Sequence, residues 1–274
     1  METTQLAPQR IAQFRRSIYK HYHEHKRDFP WRQTTNPYHI LVSEIMLQQT
    51  QTSRVMTKYL GFIEEFPDFV TLAQAPLRKV LHAWQGLGYN RRALALHQIA
   101  KTVTSKFGGK LPSSSDILVT LPGIGSYTAS AIAALAFNQP TAFIETNIRT
   151  VFLHFFFPNH EKVTDRDILP LIAHTLDNKN LSEWYYALFD YGVMLKQKQN
   201  LAPRSAHYHK QSPFPGSNRQ LRGRIISLLL AHRSLTEKEM NRQLNQSPPR
   251  IRAMLEQLQK EGFLNITGGA IAIT

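Results

Sequence analysis

Residues 121–150 read LPGIGSYTASAIAALAFNQPTAFIETNIRT, and the rest of the chain is organised around them. Leu121-Pro122-Gly123-Ile124-Gly125 spells a tight turn, with two glycines able to enter backbone conformations closed to other residues. A helix of small residues follows, Ser126 to Phe137, and after a short connection one carboxylate, Glu145, stands where another helix begins. The first N–H groups of a helix lack partners within it and carry partial positive charge, so the turn at Gly123, Gly125 and Ser126 suits a phosphate. The segment thus offers a phosphate grip and, farther on, an acid, which suggests chemistry on a nucleic acid held by its backbone. LPGIG alone equally suits an ordinary corner between two helices, so its meaning depends on its surroundings.

The 274 residues suffice for one large domain or two modest ones. Lys and Arg number 33 against 19 Asp and Glu, a net charge of +14 that favours a polyanionic partner. No acid occurs between Asp190 and Glu237, an interval carrying Lys196, Lys198, Arg204, Lys210, Arg219, Arg222, Arg224 and Arg233. Such a run repels itself unless a polyanion lies nearby. With no cysteine, disulfides, zinc–thiolate sites and iron–sulfur clusters are excluded. The opening METTQLAPQR lacks the apolar stretch of a signal peptide and no run reaches membrane-spanning length, so the chain reads as an intracellular, cytoplasmic protein.

Ile11, Phe14, Ile18 and Tyr22 recur at helical spacing and predict a helix over 8–27. Its His21, His23 and His25 invite a metal reading, but only His21 and His25 share a face and no carboxylate or thiol completes a site. A second helix is expected from Asn36-Pro37 to about Tyr59, with Glu44 among Val42, Ile45, Met46 and Leu47. An acid in apolar surroundings is costly to ionise, and a raised carboxylic acid suits general acid catalysis; a Glu on a solvent-facing edge is the plainer reading. Residues 84–96, WQGLGYNRRALAL, hold another glycine turn, with Tyr89 beside Arg91 and Arg92, an arrangement suited to base stacking with phosphate contacts or to capping the core. Helices are expected at 113–120, from Glu145 to about Phe157, near 165–176 and near 182–196, with the aromatics of 152–157 and 184–191 in the core. Residues 199–218 read as a basic linker or surface loop. The last 56 residues, 219–274, read as a winged helix: a helix, a capping box at Thr236 and Glu239, a third helix opened by Ser247-Pro248, and a hairpin around Gly268-Gly269. Its third helix would present Arg250 and Arg252 to a groove, although winged helices also bind proteins.

These blocks in order, FPWR (29–32), SEIMLQQTQT (43–52), GLGYNRRA (86–93), LPGIGSYTA (121–129), ETNIRTV (145–151) and LFDYG (188–192), resemble the helix-hairpin-helix DNA glycosylases of the endonuclease III superfamily, most closely the MutY type. The resemblance implies an all-α glycosylase domain over 1–198, a helical barrel of about 30–137 and a second subdomain from 1–29 plus 138–198, with the α+β winged helix appended. It implies a cleft where double-stranded DNA with a mispaired or damaged base is bent and the base flipped out. In that frame the hairpin at Gly123, Gly125 and Ser126 holds the DNA backbone, with a monovalent cation on the carbonyls of Leu121 and Gly123. Glu44 matches the acid that protonates adenine. Glu145 stands where the family carries an essential Asp that stabilises the positive sugar, and Asn147 matches a positioning residue. Tyr127 occupies the place of the nucleophilic Lys of strand-cutting members, which implies a monofunctional enzyme. Gln49, Thr50, Leu87 and Tyr89 match positions that contact or wedge apart the opposite strand.

Three departures stand out. The Asp is Glu145; the cluster cysteines after LFDYG are replaced by KQKQNLAPRSAHYHK, whose Lys196, Lys198 and Arg204 offer a basic substitute; and a winged helix replaces the domain that reads 8-oxoguanine. The expectation is a monomeric, monofunctional glycosylase in base excision repair removing adenine opposite 8-oxoguanine. The alternatives are another base, such as uracil or thymine in a mismatch or an adduct, and a DNA-binding protein with a degenerate site.

Overall fold

The computed structural model describes residues 6–208 and 212–274. Lys210 of the basic interval, and the first five residues of the N-terminal segment, lie outside them. The chain runs through α1 (Pro8–His25), α2 (Pro37–Leu47), α3 (Thr52–Glu65), α4 (Phe69–Gln74), α5 (Leu77–Ala83), α6 (Arg91–Phe107) and α7 (Ser115–Leu118). It continues with α8 (Ser126–Phe137), α9 (Thr146–Phe156), α10 (Asp165–Thr175), α11 (Leu181–Lys198) and α12 (Asn218–Ala231). It ends with β1 (Leu235–Thr236), α13 (Glu237–Leu244), α14 (Pro248–Lys260), β2 (Leu264–Thr267) and β3 (Ala270–Ile273).

The helix expected from Pro37 to Tyr59 is two helices, and one arginine explains the break. Arg92 Nη1 donates to the carbonyls of Ile45 (2.9 Å), Met46 (2.8 Å) and Gln48 (2.5 Å), ending α2 by taking the acceptors a further turn would use. Gln49 then enters the left-handed region at φ 53°, and α3 starts afresh at Thr52.

Two compact units make up the fold. One comprises the described residues within Met1–Leu41, Ser113–Thr120 and Ile124–Lys210; the other comprises those within Val42–Pro112, Leu121–Gly123 and Gln211–Thr274. In the first, α11 packs against α9, α1 and α8. Phe14 of α1 meets Phe152, Phe155, Phe156 and Trp184 edge-on, with ring centroids 5.0–5.7 Å apart. The dense aromatics of 152–157 and 184–191 supply this core, with Phe152, Trp184 and Tyr185 fully buried.

In the second unit, α4 and α5 pack on α6 around Phe62, Phe66 and Trp84. The C-terminal residues follow the winged-helix order, with a sheet β1-β3-β2 in which both neighbours run antiparallel to β3. Gly268 and Gly269, at φ 58° and 81°, make the two-residue turn of the wing. The Thr236–Glu239 capping box forms as expected. The two-residue β1 is an addition, too short to leave a signature in the sequence. The winged-helix segment expected at 219–274 groups with 42–112 in this second unit. Polar clasps hold it there: Arg78 Nη2 donates to the carbonyls of Leu230 (2.8 Å) and His232 (2.9 Å), where α12 ends.

Candidate active site

Glu145 is the N-cap of α9, in extended conformation at φ −127°. Its Oε1 accepts from Asn147 N (2.6 Å) and Ile148 N (2.8 Å), and its Oε2 from Asn147 Nδ2 (3.2 Å). The acid thereby satisfies donors that a helix start leaves open, at the positive end of the helix dipole. Behind it, Lys196 Nζ donates to Asn147 Oδ1 at 2.7 Å. Burial pushes the Glu145 carboxyl above its usual range, opposed by the two backbone N–H groups and the positive charges of Lys196 and Arg149. Burial draws Lys196 down, opposed by the charge of Glu145. A partly desolvated carboxylate held rigidly by donors can stabilise a positive charge developing in front of it.

A glycine lets α11 approach α9 behind this acid, and an ion cluster ties α11 to the segment after α1. A Cβ on Gly192 of α11 would meet the carbonyl carbon and the Cβ of Asn147 at 2.7 Å, so only glycine lets α11 approach the first turn of α9. Two residues earlier, Asp190 is 3% exposed. Its carboxylate accepts from Arg27 N (3.0 Å), Arg27 Nε (2.7 Å) and both Arg32 Nη atoms (2.9 Å). Burial raises its pKa, but the bonds and charges of Arg32 and Arg27 outweigh it and the carboxyl lies below its ordinary range. FPWR and LFDYG, far apart in the chain, are thus the two halves of one joint. An acid inside an aromatic helix was a signal that a cation had to meet it.

Tyr127 projects from the first turn of α8 and is half-buried, its ring 5.6 Å from that of Phe143. Gly123 sits at φ 74°, and a Cβ there would meet the Ala95 side chain of α6 at 2.8 Å. Gly125 is the N-cap of α8, and Gly123, Gly125 and Ser126 are exposed. Glu44 is 8% exposed, beside the buried Val42, Ile45 and Met46.

Residues 42–173 match the model of the HhH-GPD superfamily base excision DNA repair protein. The chain is 33% identical over 231 residues to an adenine DNA glycosylase of Mycobacterium tuberculosis, covering 77% of this chain and 76% of that protein. It is 35% identical over 192 residues to an adenine DNA glycosylase of Buchnera aphidicola, covering 68% of this chain but spanning about half, 54%, of that relative. A thermostable thymine-DNA glycosylase has a similar structure, with a TM-score of 0.62 at 25% identity over 72% of this chain and 91% of the other. The chain belongs to the HhH-GPD superfamily of base-excision DNA repair proteins.

Within this superfamily chain, several residues expected to face DNA have partners inside the protein. Arg92 is buried, and beyond the α2 carbonyls it donates to Thr50 Oγ1 (2.9 Å), Leu87 O (3.3 Å) and Gly88 O (3.1 Å). Burial draws its pKa down to about 10. It is a clamp that shapes the turns at 48–51 and 86–90, and its surface role is corrected. Leu87, expected as a wedge, is 1% exposed and packs in the core. Arg204 donates to the carbonyls of His160 (3.1 Å) and Phe157, which commits its guanidinium to the α9–α10 connection. Arg250 donates to Gln246 Oε1 and Gly216 O, both at 2.6 Å, and Arg252 to Glu237 Oε1 at 3.0 Å. Arg91 pairs with Glu261. Gln49, Tyr89 and Lys198 are exposed, Thr50 half-buried.

Where cluster-bearing members place cysteines, Leu201 is buried at 1% exposure, Val163 and Ser205 form a parallel bridge, and Asp165 N donates to His207 Nε2 at 3.1 Å. No thiolate exists to ligate iron, so the residues do not fit a cluster. Among the described residues no group of three or more His, Cys, Asp or Glu could hold a metal ion, and no helix is long and apolar enough to cross a membrane.

Proposed function

We propose that the protein is a monofunctional DNA glycosylase of base excision repair that hydrolyses the N-glycosidic bond of an adenine mispaired in double-stranded DNA, with adenine opposite 8-oxoguanine as the leading substrate. The observation that carries the reading is Glu145, poised at the α9 N-terminus by two backbone N–H groups and Asn147, with Lys196 behind. Similarity to adenine DNA glycosylases over most of the chain supports adenine as the base.

Glu44 protonates the adenine ring, which weakens the bond to the sugar. Ionised Glu145 stabilises the positive sugar as the base departs, and water then completes hydrolysis. Tyr127, which bears no amine, forms no Schiff base, so the product is an abasic site with the strand intact. The exposed turn of Gly123, Gly125 and Ser126 grips the DNA backbone at the α8 N-terminus. A cation on the carbonyls of Leu121 and Gly123 would be monovalent, because LPGIGS supplies neutral oxygens and no carboxylate. The protein acts as a monomer.

Duplexes each carrying one lesion or mismatch, incubated with the protein and then with hot alkali, test this. Cleavage of the adenine strand opposite 8-oxoguanine, dependent on alkali, is expected. Cleavage only at a thymine or uracil mismatch would move the substrate to the second reading, which the fold shared with a thymine-DNA glycosylase favours. No product with tight binding would leave a DNA-binding protein.

A further inference from the structure

Tyr89 sits at φ 47° in the Gly86–Asn90 turn and is 38% exposed. Its ring lies over the Arg92 guanidinium, 5.4 Å from centroid to Cζ, and its hydroxyl accepts from Arg219 Nη1 of α12 at 3.2 Å. Arg219 is anchored in turn by donating to Ser212 O at 2.7 Å, with its guanidinium 5.9 Å from the Phe214 ring. One residue past Arg219's neighbours Gln220 and Leu221, Arg222 donates to Glu261 at the end of α14, and Glu261 also accepts from Arg91 Nε at 3.0 Å. The two guanidinium groups hold the Glu261 carboxyl down at about 2 against the effect of burial. One carboxylate of the C-terminal segment thus ties α6 to α12, two residues from Tyr89, while Arg219 takes the tyrosine itself. On α14, Arg250 and Arg252 also have partners within the segment.

We propose that the winged helix serves as a brace for the Gly86–Asn90 turn, with Arg219 as the positioning residue that aims Tyr89 at the strand opposite the excised base and Glu261 as the latch. The proposal rests on the glycosylase reading. It assigns the C-terminal segment a part in lesion selectivity, exerted through a tyrosine of the glycosylase domain.

The full-length chain and its Arg219→Ala, Arg219→Lys, Tyr89→Phe and Glu261→Gln variants test it, with the Arg219→Ala/Tyr89→Phe double variant. The quantity read is the ratio of affinities for a duplex with adenine opposite 8-oxoguanine and for the same duplex undamaged. Loss of the Arg219–Tyr89 bond should lower that ratio about fivefold in either single variant, and no further in the double, because coupled residues are not additive. Arg219→Lys, which keeps a donor, should recover most of it. Equal weakening toward both duplexes, or a double variant equal to the product of the singles, would overturn the brace. A second measurement needs no DNA: nitration of Tyr89 by tetranitromethane, followed by mass spectrometry, should be faster in Arg219→Ala and Glu261→Gln than in the parent. Unchanged nitration would overturn the brace even if selectivity falls. A parent chain that excises no base and prefers no lesion duplex would instead refute the glycosylase reading, and nitration alone would then decide the brace.

Discussion

In Glu145 the extra methylene relative to aspartate is taken up by curling the carboxylate back over the first turn of α9, where Asn147 and Ile148 donate to Oε1. Glu145→Asp can keep an N-cap bond and should retain base release within about tenfold, since Asp is among the best N-cap residues. Glu145→Gln keeps the shape and removes the charge, so single-turnover base release should fall by about 10²–10³, the scale of a lost electrostatic stabiliser, while duplex binding holds. If the Gln variant keeps the parent rate, Glu145 is not the stabilising acid. The raised pKa gives a pH signature. Because the reaction requires the ionised form, activity should rise with pH through a value above the ordinary carboxylate range. Lys196→Met removes a charge that lowers the Glu145 pKa and should move that acid limb higher, which a pH–rate profile reads directly. For folding the sign is opposite: a raised carboxyl contributes stability fully present below its unfolded pKa and lost as pH rises through its folded pKa.

At the scale of elements, Gly192 sets how closely α11 approaches α9, and Asp190 ties α11 to Arg27 and Arg32. Gly192→Ala places a methyl against Asn147, and the helices must part; a loss of about 1–3 kcal/mol is expected from such overpacking. Thermal unfolding measures the loss, and base release should fall with it because Asn147 holds Glu145. Asp190→Ala strips the partner from Arg32, whose side chain is 7% exposed, and should cost about 3–5 kcal/mol, as breaking a buried pair does. Since the Asp190 pKa is depressed, the stability it contributes is present above the ordinary carboxylate pKa and is lost as pH falls through its folded value. A parent protein with the same acid-unfolding midpoint as Asp190→Asn would contradict this.

At the scale of the whole molecule, a net charge of +14 meeting a polyphosphate predicts salt-sensitive binding, with the logarithm of affinity falling by about 0.9 per phosphate contact for each unit of log salt. Arginines already holding carbonyls or carboxylates release no counterions, so Arg92→Lys and Arg204→Lys should change stability without changing that slope. A titration of duplex binding over salt concentration separates the two kinds of arginine. Iron chelators and thiol oxidants should leave base release unchanged, because no cysteine is present to hold or lose a cluster.

The letters alone determined the hairpin at 121–125, the acid at the start of α9, the helical class, the wing turn at Gly268-Gly269 and the exclusion of iron–sulfur. Each rests on local physics: glycine at positive φ, a cap at a helix start, apolar period, or the absence of a thiol. Only the tertiary structure decided which acceptors within the chain the basic residues meet. Arg92 and Arg204 read in the sequence as phosphate contacts, yet their guanidinium groups meet carbonyls far along the chain. Lys196 likewise belongs behind Glu145, and the C-terminal segment belongs with 42–112. A guanidinium binds a carbonyl, a carboxylate or a phosphate through the same donors, so its partner is chosen by which oxygens the fold brings near.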